Sequence, residues 1–164
     1  MKTAIVATLL FFIACASSPP PPPAGPSMAV DNGQPKMQAA LAALQHAQSE
    51  VNAAEPNKGG HREAALMLIQ QAIDAVNAGI QYAASHAGEE GVAEGPAAPE
   101  PVDEEVRGAE RQPRMAAGVV ALREARRQLK EAKHDKGGHR EQAIALINQA
   151  IEQLREGIRF ANMH

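Results

Sequence analysis

The stretch Lys58-Gly59-Gly60-His61-Arg62-Glu63 returns unchanged as Lys136-Gly137-Gly138-His139-Arg140-Glu141. Shifting the chain by 78 positions lays Met37–His86 on Met115–His164 without a gap, and 22 of the 50 pairs are identical. Gln34-Pro35-Lys36 matches Gln112-Pro113-Arg114 just upstream. One unit of about fifty residues is used twice, so a single local fold must serve both halves.

Working outward from the hexapeptide, both flanks of each copy are helical. Before it, Leu41, Leu44, Ala47, Val51 and Ala54 fall on one stripe at three- and four-residue spacing, as do Val119, Leu122, Ala125, Leu129 and Ala132. After it, Ala65, Leu68, Ile69, Ala72, Ile73, Val76 and Ile80 form an apolar face, matched by Ala143, Leu146, Ile147, Ala150, Ile151, Leu154 and Ile158. Pro35 and Pro113 stand where helices begin and a missing N–H costs little. The glycine pairs break the helices, and Glu63 and Glu141 lie in a first turn, where the helix dipole favours an acid. Each copy, 35–86 and 113–164, is an αα-hairpin that buries little alone. Two together predict an all-α four-helix bundle of about a hundred residues. Gly79 and Gly157 recur inside the second helices and suggest close helix approach or a fraying last turn.

Between the copies, residues 87–112 carry eight acids against Arg107 and Arg111, a net of −6 with almost no large apolar side chain. This is the composition of a disordered acidic linker. The second repeat, 113–164, is net +4, so the linker either lies along that basic hairpin or is simply solvated. Spanning up to roughly 85 Å when extended, it permits the two hairpins to dock parallel, pairing His61 with His139, or antiparallel, pairing His61 with His164.

The first residues carry an address. Lys2 is followed by an apolar run, Ile5–Ile13, too short to span a bilayer, which needs roughly twenty residues. Residues 1–14 read as a signal peptide ending at Phe12-Ile13-Ala14-Cys15, and Cys15 is the only cysteine. The segment resembles a bacterial lipoprotein signal, which implies that Cys15 is lipidated and becomes the N-terminus. Phe12 stands where that pattern usually has leucine. The alternative is ordinary signal cleavage, because Ala14-Cys15-Ala16 is also small-x-small. Residues 15–34, with Pro19–Pro23, read as an extended polyproline stalk. Attachment through Cys15 would place the chain in the bacterial cell envelope, on the outer membrane facing the periplasm; without it the chain is a soluble periplasmic protein. A net charge of −3 gives no electrostatic case for nucleic acid.

Six histidines lie in or beside the repeats: His46, His61, His86, His134, His139 and His164. His61 and His86 lie about 37 Å apart along one helix, so any metal site draws on several helices. One candidate gathers His61, His139 and His134 at the loops. Another gathers Met37 with His86, and Met115 with His164, at the open ends. Imidazole suits Cu, Ni or Zn, and thioether adds affinity for Cu(I). No HExxH, Cys/His zinc spacing, paired Glu-x-x-His or haem motif is present. Arg62 and Arg140, near helix starts, are candidate anion contacts. No nucleophile–base pair or paired acids occur within a recognisable motif, so no catalytic residue and no cofactor is expected.

The repeated stretch resembles a helical hairpin found in many small exported bacterial proteins of uncharacterised function. The likeness rests on the Asp/Asn-Lys-Gly-Gly-His-Arg segment and the Leu-Ile, Ala-Ile and Gly-Ile pairs that follow it. It covers about one hundred residues, implies the fold unit, and brings no catalytic residues. A weaker likeness, to small histidine-rich periplasmic metal-binding helical proteins, implies metal buffering, though those carry many more histidines. The expectation is a non-enzymatic, lipid-anchored helical protein with a binding or structural role, partnered by the membrane and by itself or another envelope protein. The alternative is a metal-binding module.

Overall fold

A computed structural model of the protein describes residues 34–56, 59–86, 95, 109, 111–133 and 137–163. The signal, Cys15, the proline stalk, most of the acidic linker, His134 and His164 lie outside the described residues. Four helices make up the fold: α1 (Pro35–Asn52), α2 (His61–Ser85), α3 (Pro113–Glu131) and α4 (His139–Met163). The all-α, duplicated-hairpin bundle expected from the repeats is the observed architecture.

Each helix begins as its residues dictate. Pro35 and Pro113 occupy the first helical position behind buried Gln34 and Gln112. Gly60 and Gly138 precede α2 and α4 with φ of 71° and 75°, a left-handed conformation that only glycine adopts without strain. The glycine before each is required for another reason. A Cβ on Gly59 would lie 2.8 Å from Cδ2 of His61, and one on Gly137 would lie 2.9 Å from Cδ2 of His139.

The core follows a strict heptad. In α1 the buried positions are Met37, Ala40, Leu44, Ala47 and Val51, continued by Ala54 just past the helix. Their equivalents Met115, Gly118, Leu122, Ala125, Leu129 and Ala132 are buried too. In α2 and α4 the same alternation runs Ala65, Ile69, Ala72, Val76, Gly79 and Ala143, Ile147, Ala150, Leu154, Gly157. Large and small residues alternate at three- and four-residue intervals, the pattern that seats a knob of one helix in a hole of another. Leu41, Leu68 and Ile80 fall at the margin of the core and are only partly buried. The buried seam in α1 therefore runs through Ala40, one position before Leu41, and starts at Met37.

Packing is tightest between the hairpins rather than within them, along α1–α3 and α2–α4. A Cβ on Gly118 would sit 2.5 Å from Val51 Cγ2, so the α1–α3 seam closes over an absent side chain. Both inter-hairpin pairs are antiparallel. Lys36 at the start of α1 pairs with Glu131 at the end of α3 at 2.5 Å, and Glu50 near the end of α1 pairs with Arg114 at the start of α3 at 2.9 Å. His61, opening α2, lies beside Phe160 near the end of α4, and His139, opening α4, lies beside Tyr82 near the end of α2. These two contacts exchange when the repeats are exchanged, so the hairpins are related by a pseudo-two-fold axis. The parallel alternative is excluded: it would set Lys36 against Arg114.

Candidate functional site

The antiparallel docking sends the two hexapeptides to opposite ends of the bundle, where each serves the fold in the same way. The His61 ring covers Gly59 and reaches Phe160 of the other hairpin, with ring centroids 6.5 Å apart. The His139 ring covers Gly137 and reaches Tyr82, at 6.0 Å. His61 Nδ1 also lies 3.1 Å from Gln153 Oε1 on α4. Each histidine thus docks one hairpin's loop on the other hairpin's last turns.

The arginines turn back onto their own hairpin. Arg62 donates from Nε to the Val51 carbonyl at 3.0 Å and from Nη2 to the Asn52 carbonyl at 2.7 Å. Arg140 donates from Nη1 to the Ala132 carbonyl at 2.9 Å. A helix ends with unsatisfied carbonyls, and a guanidinium placed there both bonds them and complements the negative end of the dipole. Glu63 and Glu141 accept from these same arginines at 3.2 Å and hold them in place. Arg62 and Arg140, considered above as anion contacts, clamp the ends of α1 and α3.

The residues considered for metal separate in the same manner. His61 and His139 cannot share an ion from opposite ends. Met37 and Met115 are fully buried in the core and offer no thioether at the surface. His86 stacks on Tyr82, with centroids 4.0 Å apart and planes 14° apart, and its Nδ1 lies 2.9 Å from the Tyr82 carbonyl. The same nitrogen lies 3.0 Å from the Ser85 hydroxyl. His86 closes the last turn of α2. Among the described residues no three His, Cys, Asp or Glu side chains converge as metal ligands.

A different region gathers chemistry that the motif does not. Leu68 of α2, Arg126 of α3, and Asn148, Glu152, Gln153 and Arg155 of α4 line an open groove of about 540 Å³. Arg126 Nη1 donates to Asn148 Oδ1, and Arg155 Nη1 donates to Glu152 Oε1 at 2.5 Å. Burial, and after it the neighbouring charge of Arg155, holds the Arg126 guanidinium below its usual pKa. The equivalent positions in the first repeat are Gln48 and Asn77, and Gln48 makes the matching hydrogen bond, to Gln70 at 2.9 Å. A groove of about 370 Å³ between α1 and α2, lined by Gln45, Gln48, Ser49, Asn52 and Leu66, has no charged side chain in its lining. Motif reasoning overlooks Arg126 and Arg155 because the repeat does not share them: Gln48 and Asn77 stand at their positions in the first copy. The signal that finds them is the difference between the copies at positions 48/126 and 77/155.

No family model, curated protein or solved structure matches the chain.

Proposed function

We propose that this chain is a non-enzymatic, lipid-anchored protein of the bacterial cell envelope, with a four-helix bundle held off the outer membrane by a proline-rich stalk and used for binding or structural purposes. The observation that carries this reading is the fate of the duplicated hexapeptide. Its glycines, histidine, arginine and glutamate are engaged in turning the chain, clamping carbonyls and docking one hairpin on the other. The most distinctive residues of the sequence are thus spent on architecture rather than on chemistry. Among the described residues no helix is long and apolar enough to cross a membrane. In this reading attachment is through Cys15, where several acyl chains on one residue exceed what stable anchoring requires.

Mass spectrometry of the protein recovered from its host membranes tests the anchor. The expected product begins at Cys15 and carries the added mass of its acyl chains, and Cys15→Ser moves the protein to the soluble fraction. An unmodified N-terminus beyond Cys15 would remove the anchored reading and leave a soluble periplasmic protein.

A further inference from the structure

The α3–α4 groove differs from its counterpart in the first repeat by two arginines, and these two meet across helices. Arg126 projects from α3 and Arg155 from α4, and both line the same open groove. Like charges brought together at a partly buried site work against folding. The first repeat shows that this fold does not need them, because Gln48 and Asn77 occupy the same positions. Glu152 is the single carboxylate on the groove wall, so the lining keeps a net positive charge. Asn148 and Glu152 each hold one guanidinium by an Nη1 donor, which orients the planar forks.

We propose that this groove binds a phosphate group, held between the guanidiniums of Arg126 and Arg155. A carboxylate offers two oxygens and is matched by one arginine fork. A tetrahedral phosphate presents oxygens to two forks from different directions, which is the arrangement that two converging arginines supply. The groove is open and wide enough for a phosphate that belongs to a larger molecule, so the phosphate of a lipid headgroup and a free phosphate compound share the required chemistry. Leu68 provides an apolar wall beside the charged one. The inference deepens the binding-module reading and rests on it only for the ligand's being held rather than converted. Lipidation at Cys15 is not among its premises, so the two stand or fall by separate measurements.

Titration calorimetry and backbone-amide NMR on the purified full chain, at low ionic strength, test it with two probes. One is inorganic phosphate. The other is phosphatidylcholine vesicles with and without phosphatidate. Saturable binding of phosphate, with shifts centred on residues 126, 148, 152 and 155, is the expected result, and binding only to the phosphatidate vesicles assigns the headgroup as the source. Arg126→Gln combined with Arg155→Asn installs the residues the first repeat already carries there, so the fold is retained, as unchanged helicity by circular dichroism and a melting temperature no lower than the native one check. That variant should bind about tenfold more weakly or worse. Arg126→Lys with Arg155→Lys keeps the charge but not the forks, and should lose most of the same affinity. If the lysine variant binds as tightly as the native chain, or neither probe binds at all, the proposal is wrong.

Discussion

The two hairpins agree inside and disagree outside. Every buried heptad position of α1 has a buried equivalent in α3, and both loops turn through a left-handed glycine. The outer face of α1 reads Gln48, Ser49 and Asn52, whereas α3 reads Arg126, Arg127 and Lys130 at the same positions, and exposed Gln45 is replaced by Arg123, which is buried. Some of that new charge is neutralised locally: Arg127 pairs with Glu124 and Glu131, both at 2.6 Å. Arg126 reaches across to α4, where it donates to Asn148 and lines a groove together with Arg155. One chain therefore contains both a neutral and a basic version of the same scaffold, and what the versions share is what the fold requires. The basic face of α3 is an addition, and additions of this kind are where function is to be sought.

The strongest test of the shared part is to make the hairpins unable to meet within one chain. Because α1 and α3 are antiparallel, α2 ends at the opposite end of the bundle from the start of α3. The connection between them must therefore cover about 35 Å, set by the rise of a helix as long as α2. Replacing residues 87–112 with six glycine and serine residues leaves a reach of about 20 Å. Hairpins should then exchange between two chains, and light scattering should find a dimer with unchanged helicity. A monomer of native stability would mean that the hairpins dock some other way.

The close α1–α3 seam gives the next effect in size. Ala40 is accommodated in the first repeat, but its equivalent is Gly118, facing Val51. Alanine is the better helix former, so Gly118→Ala should stabilise an exposed helix by about 1 kcal/mol. Here the added methyl group meets a β-branched side chain that has little freedom to turn aside. We expect a net loss of about 1–3 kcal/mol in denaturant unfolding, largely restored by adding Val51→Ala. A stabilised Gly118→Ala protein would show that the seam is looser than described.

Arg62 and Arg140 offer a matched pair of smaller effects. Both clamp the end of the preceding helix, but the Arg140 side chain is 7% exposed and that of Arg62 is 17%. Removing the better-buried clamp strands a carbonyl that water reaches less easily. Arg140→Ala should cost about 1–3 kcal/mol and Arg62→Ala about 1 kcal/mol or less, measured by the same unfolding curves. The reverse order would mean that the two ends of the bundle are not held alike.

Much of this was legible in residues, and the exceptions have physical reasons. The helices and their pairing into hairpins follow from three- and four-residue spacing around a glycine break, which is local information. Met37 and Met115 lie on that same period, three residues before Ala40 and Gly118, and this places them in the core rather than at an open site. The direction of docking was written in charge: Lys36 and Arg114 stand at helix starts, Glu50 and Glu131 near helix ends. Periodicity carries no such polarity, and only pairing starts with ends reads it. Arg62 resists sequence reading because its partners are carbonyls brought near by the loop's own turn. The Arg126–Arg155 groove is assembled from three helices and has no local signature.

The smallest effect separates ion pairs between the hairpins from those within one helix. Glu131 is held below the usual carboxyl range chiefly by its hydrogen bond from Lys36, and Glu50 by that from Arg114, against the opposing effect of burial. Glu124 is lowered by Arg127, but that pair lies within α3 and ties nothing to α1. A carboxyl lowered in the folded state contributes stability that is fully present above its unfolded value, near 4.5, and is lost as the pH falls through the lower folded value. The melting temperature should therefore hold from neutral pH down to about 5 and fall below about 4.5. Glu50→Gln with Glu131→Gln should lower it at neutral pH and flatten the acid decline, whereas Glu124→Gln should do much less of either. The Glu131 contribution should also survive added salt somewhat better than that of Glu50, because both members of the Lys36–Glu131 pair, 45% and 7% exposed, are less open to screening than Arg114 and Glu50, at 58% and 17%. Equal effects from all three glutamates would place the acid sensitivity in the helices themselves rather than in the seam that joins them.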